Sequence, residues 1–113
     1  MSTIDDIIAE KNKALSIVDQ KILDASDLLN AGNAAMDDVI ATLQTQRQAI
    51  LDQALNNALD STELAAALAV LRAATNRMND VAARMVKAAD FISQIANFGT
   101  EANGIVAALR GNA

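Results

Sequence analysis

The chain has 113 residues, enough for one domain with one core, and 25 of its hydrophobic residues are Ala, which leaves 34 larger apolar side chains. It contains no Pro, Cys, Trp, Tyr or His and four Gly, which excludes a disulfide framework, thiolate metal sites and histidine chemistry and favours long helices. Net charge is −5 and the pI is about 4.4, with residues 1–62 carrying four basic and ten acidic side chains and residues 63–113 five basic and four acidic ones. The acidic N-terminal half argues against a general nucleic-acid or anionic-membrane surface.

The first predicted helix covers residues 3–30. Thr3 is a good N-cap, and Asp5 and Asp6 place negative charge on the positive end of the helix dipole. Its apolar stripe is Ile4, Ile8, Lys11, Leu15, Val18, Ile22, Ala25 and Leu29, at strict four-three spacing, flanked by Ile7, Ile17 and Leu28. Lys11 stands in a seam position, where it either snorkels outward or selects register or partner. Asn30-Ala31-Gly32-Asn33 predicts a turn, with Gly32 suited to a left-handed C-cap and Asn33 to the next N-cap. The alternative is a bend at Gly32 in one continuous helix.

A second helix is predicted over 34–59, with Asp37 and Asp38 near its start and an apolar set of Met36, Val39, Ile40, Leu43, Ile50, Leu51, Leu55 and Leu59. Its Gln and Asn side chains make it the most polar and solvent-facing helix. Asp60-Ser61-Thr62-Glu63 is a helix start, because Glu63 stands three residues after Asp60 as a capping box requires.

The third predicted helix, 62–98, organises the chain. One stripe runs Leu64, Leu68, Leu71, Thr75, Met78, Ala82, Met85, Ala89, Ile92 and Ala96; a second lies beside it, Ala67, Val70, Ala74, Arg77, Val81, Arg84, Ala88, Phe91, Ile95 and Phe98. Together they form a face wider than one partner helix covers. At ~1.5 Å per residue this helix would be roughly 50 Å long. Thr100 and Glu101 open a short tail helix, 101–110, carrying Ile105, Val106 and Leu109.

These elements predict a single all-α domain over 1–113: an antiparallel three-helix bundle of long heptad-patterned helices with a short C-terminal helix or tail. The rival arrangement is a helical hairpin, helices one and two merged, that dimerises into a four-helix bundle. No signal peptide is expected from the acidic N-terminus, and no transmembrane span, since the longest run without a charge is Phe91 to Thr100. The location reads as cytoplasmic, or as secreted without a cleavable signal peptide.

The carboxylate pairs Asp6/Glu10, Asp24/Asp27 and Asp37/Asp38 lie on helix surfaces or first turns, and no His or Cys accompanies them. Gly32, Gly99, Gly104 and Gly111 form no phosphate loop, and two Phe give little for base stacking. The chain therefore reads as non-enzymatic, with no cofactor, no metal and no nucleic-acid partner expected. The residues that merit a functional reading are Leu64, Leu68 and Leu71, in a run apolar on every side, Met78 and Met85 in the seam, Arg77 and Arg84 seven apart on one face, and Phe91. Arg72, Arg77, Arg84 and Lys87 either serve solubility and helix-end charge placement or face the acidic groups of the first half, in the same chain or a neighbouring copy.

The expected function is a non-catalytic interaction or assembly protein that self-associates or grips a partner protein by helix packing. Ala-, Asn-, Gln- and Asp-rich helices without Cys, Trp, Tyr, His or Pro are similar in composition to bacterial secreted filament subunits and helical pore-forming components. That resemblance covers no defined stretch, and it implies a secreted helical protein that acts at membranes or builds an extracellular assembly. A third reading is an acidic antitoxin or immunity-type binder that blocks a basic surface.

Overall fold

A computed structural model describes residues 3–111. They form four helices and no strand: α1 (Thr3–Asn30), α2 (Met36–Asp52), α3 (Ser61–Ala83) and α4 (Ala88–Arg110). The chain is all-α, but the expected long third helix is two helices, and the expected tail helix is the second half of α4.

The break after Ala83 has no Gly or Pro to mark it. The amides of Arg84 and Met85 turn back to the carbonyls of Val81 and Ala82, which tightens the end of α3. Asp90 then accepts hydrogen bonds from the backbone N–H groups of Lys87, at 2.9 Å, and Val86, at 3.4 Å, and so opens α4. Four non-helical residues reset the helical phase. Before the turn the first stripe is inside: Leu68, Leu71, Thr75, Met78, Ala82 and Met85 are buried. After it the second stripe is inside: Phe91 and Phe98 are buried and Ile95 half-buried, whereas Ile92, on the first stripe, is 53% exposed. α3 also buries Ala67, Ala74 and Val81 of the second stripe, so its face is wide; α4 keeps only the second stripe inside, with Ala89, Ile92 and Ala96 exposed. In α4 the inner positions continue through Ala102, Ile105 and Leu109.

The turn at 31–35 closes by a Schellman pattern. Gly32 has φ of 106°, its N–H donates to the carbonyl of Leu29, and the N–H of Asn33 donates to that of Leu28. The Asn33 side chain also donates to Leu28, at 2.9 Å. Asn33 thus closes α1 and does not cap α2, whose N-cap is Ala35 with no side-chain bond.

α2 stops at Asp52, seven residues short of the expected end. Gln53 is extended, and the Lys11 ammonium, from α1, takes the carbonyls of Leu51 at 3.1 Å and Gln53 at 2.9 Å. Asn56 is drawn to the end of α4: its N–H donates to Leu109 at 2.9 Å and its side-chain amide to Arg110 at 3.1 Å. Its side-chain oxygen accepts from the N–H of Ala58. These bonds replace those that further helical turns would make. The start of α3 is a full capping box: the Asp60 carboxylate accepts from the Glu63 N–H at 2.8 Å, and the Glu63 carboxylate from the Asp60 N–H at 3.1 Å.

The helices pack side by side in an envelope of 49 × 23 × 22 Å. Each of α1 and α4 touches both α2 and α3, while α2 and α3 make no contact and stand at opposite corners. Around the bundle the order is α1, α2, α4, α3. Short turns make α1–α2 and α3–α4 antiparallel hairpins. Glu10 beside Arg72, and Lys21 beside Met85, set α1 and α3 parallel. Gln46 against Gly99, and Gln53 bonded to Arg110, do the same for α2 and α4. Both turns lie at one end, called apical here; the crossover 53–60 runs across the other, the base.

Where α1 meets its neighbours the buried line is Ile7, Ala14, Val18 and Ala25. Ile4 and Ile8, expected in the core stripe, are exposed, and Leu15, Ile22 and Leu29 are half-buried. A helix wedged between two others places small side chains at the closest approach and larger ones along the flanks, which moves the centre of the face by about one position. The buried Thr75 hydroxyl donates to the Leu71 carbonyl at 2.8 Å, so it costs the core no unpaired group.

Candidate interaction cleft

The four helices differ in length, and the difference makes a cleft. α1 has 28 residues and α2 has 17, or about 42 Å against about 25 Å. α2 ends level with Lys11, so the first two turns of α1 have no α2 beside them. The crossover fills that corner in part. What remains is a cleft of about 360 Å³. Ile4, Ile7, Ile8 and Lys11 form one wall, Leu55, Asn56, Asn57 and Leu59 the opposite wall, and Leu64 and Leu109 the floor. Ile4 and Ile8 are 45% and 49% exposed on its rim. Leu51, in the last turn of α2, is also exposed.

The cleft is apolar although a lysine lines it, because the Lys11 ammonium is turned onto the end of α2. Neither α2 nor α3 has a basic residue in its last turn, and α1 supplies both missing cations. Lys21 donates to the carbonyl of Met85, just past α3, at 3.0 Å. It also pairs with Asp24 at 3.2 Å and lies 5.7 Å from the centroid of Phe91. A cation at a helix C-terminus stabilises it by about 0.3–2 kcal/mol. Lys11 therefore snorkels to a helix end and spans two elements while doing so.

The residues expected to form an interaction surface fall into three groups. Leu68, Leu71, Met78, Met85 and Phe91 lie in the core of the chain and present no surface. Arg77, on α3, and Arg84, just past its end, are exposed, and Arg77 pairs with Glu101 of α4 at 2.9 Å. Arg72 does face the first half, with Nε 4.0 Å from Glu10. Only Leu64, half-buried, belongs to the cleft. The rim residues Ile4 and Ile8 were absorbed into the core stripe by their spacing. The signal that separates them from the core is tertiary, the early end of α2.

Two shallower grooves follow the parallel helix pairs, one past Ser16, Gln20 and Asn79 between α1 and α3, the other past Val39, Thr42 and Ile92 between α2 and α4. Among the described residues no group of three or more acidic, His or Cys side chains is placed to hold a metal ion, and no helix is long and apolar enough to cross a membrane. Comparison with family models, with curated proteins and with solved structures gives no match to this chain.

Proposed function

We propose that the protein is a non-catalytic helical interaction or assembly protein, which self-associates or binds a partner protein through helix packing, and that the basal cleft is where it does so. The observation that carries this reading is the apolar cleft itself. Seven of its ten lining side chains are aliphatic, two of which, Ile4 and Ile8, are half-exposed at the mouth. Isolated exposed apolar residues are ordinary, but a concave apolar site rimmed by more of them is the usual form of a contact surface. A helix end or turn entering it would stand where α2 lacks its last turns.

The test is the double substitution Ile4→Asp with Ile8→Asp. Both side chains are exposed enough to accept a carboxylate, so the circular dichroism spectrum should be unchanged. Light scattering coupled to size exclusion, across a range of concentrations, should show wild-type association that the variant lacks. Where the wild type is monomeric, capture of a partner from an extract of the source cells should be lost in the variant. Association or capture that survives both substitutions contradicts the cleft as the contact.

A further inference from the structure

We infer that the crossover 53–60 is a hinge, and that when it becomes helical the α3–α4 hairpin is exchanged between two copies of the chain. The inference deepens the self-association reading and rests on it. Four observations lead there.

The hinge holds no strong helix breaker. Gln-Ala-Leu-Asn-Asn-Ala-Leu-Asp holds no Gly and no Pro, and Leu55 and Leu59 continue at four-residue spacing from Leu51. What keeps it unwound is partly local, the Asn56 side chain on the Ala58 N–H and the Asp60–Glu63 box, and partly tertiary, Lys11 on the carbonyls of Leu51 and Gln53 and Asn56 on the end of α4. Its length also fits. The eight residues between α2 and α3 would span about 12 Å as helix. That is the distance by which α1, from Thr3 to Lys11, overhangs the end of α2. Leu64 shares the cleft with Ile4 and Ile7, so the first turn of α3 is level with that of α1.

The corners are right for exchange. α2 and α3 are diagonal and do not touch. A two-fold axis along the α1–α4 diagonal, across the base, maps the α2 corner of one bundle onto the α3 corner of the other. A helix running from Met36 to Ala83, about 72 Å long, would then leave one bundle as α2 and enter the next as α3. Each bundle would hold the first hairpin of one chain and the second hairpin of the other. The occupant is fixed by the core itself: the contacts between hairpins, α1 on α3 and α2 on α4, are the same in both forms, so a second copy is the partner that reproduces all of them. In the exchanged form the hinge supplies the turns that α2 lacks, and Leu55 and Leu59 enter the cleft as part of a helix.

The test uses the absence of cysteine. Ser16 and Asn79 are exposed and line one groove between α1 and α3, on different hairpins. The double variant Ser16→Cys with Asn79→Cys should be bridged within one chain by a short bifunctional maleimide, which establishes the reach. The two single variants are then unfolded together, refolded at high concentration, sized by light scattering and treated with the same reagent. Exchange predicts a dimer in which residue 16 of one chain is bridged to residue 79 of the other. Asn56→Ala, which removes the bonds to Ala58 and Arg110 and favours helix, should raise the dimerisation constant at least about tenfold. Asn57→Pro, which forbids the continuous helix, should abolish the bridge. A dimer without the 16–79 bridge overturns the exchange and leaves self-association through surfaces standing. A monomer at every concentration, Asn56→Ala included, overturns the exchange and self-association together.

Discussion

The two ends of this bundle are held by different means. At the apical end the chain reverses twice in a few residues, and most of the bonds that close each reversal are local: Gly32 and Asn33 onto Leu28 and Leu29, Asp90 onto Lys87. Lys21 adds one long-range tie, and Met85 and Phe91 seal the core beneath. At the base the chain crosses the bundle once; the Asn56–Ala58 bond and the Asp60–Glu63 box are local, but the ties that hold the crossover to the bundle reach 40 residues or more along the sequence, from Lys11 to Leu51 and Gln53 and from Asn56 to Arg110. Locally closed ends form with their helices. An end that depends on distant partners is complete only when all of them are in place, and it is the end left open to a cleft.

Substitutions can break this comparison at several depths. The largest effects should come from the core at each end. Phe91→Ala, fully buried under the apical turn, should cost about 3–5 kcal/mol in chemical denaturation. Leu109→Ala, buried but facing the cleft, should fall near the low end of its class, about 2–3 kcal/mol, because water can reach the space it leaves. Equal losses would mean that the base is as tightly sealed as the apex.

The lysines come next. Lys21→Met removes an ammonium from the Met85 carbonyl, from Asp24 and from the Phe91 ring, and should cost about 1–2 kcal/mol with no change in association. Lys11→Met should cost about 1 kcal/mol. It should also free the crossover, read as a higher proportion of dimer at equal concentration. If Lys21→Met dimerises as readily, the base holds no special place.

The smallest effect, and one of opposite sign, is expected within α4. Gly104 is helical, and a Cβ there would meet only Ala74 Cβ at 3.5 Å, an ordinary contact. Gly104→Ala should stabilise the protein by about 0.5–1 kcal/mol in the same denaturation experiment. Destabilisation would mean that α3 and α4 approach more closely there than the structure has them.

The sequence is a good guide to this fold wherever a backbone bond is made locally. Gly32 and the Asp60–Glu63 pair mark their helix ends because the residues that do the work are within a few positions of each other. The end of α2 and the break at 84–87 are not legible in that way. No Gly or Pro stands between Gln53 and Leu59, and Asn56 and Asn57 disfavour helix only weakly; Lys11 and the end of α4, far off in sequence, complete the stop. At 84–87 the one local sign is Asp90 standing three residues after Lys87, and the apolar repeat runs through it without interruption. The second stripe did carry a sign, since Arg77 in α3 and Arg84 at the turn itself interrupt it and no charge does so after the turn. A repeat read along the chain does not show where one helix ends and the next begins in a new phase. The strongest apolar residues of the candidate surface, Leu71, Met78 and Phe91, are buried within the chain.

The most direct test of the account is native-state hydrogen exchange, followed residue by residue by NMR. The account predicts that the amide of Asn56 and the last-turn amides of α2 and α4 exchange together through a partial opening of the base, well below the free energy of global unfolding, while the last turn of α3 and the second turn of α4 below the apical turn exchange only near the global limit. Base and apex exchanging at the same free energy, or the apex opening first, would contradict it.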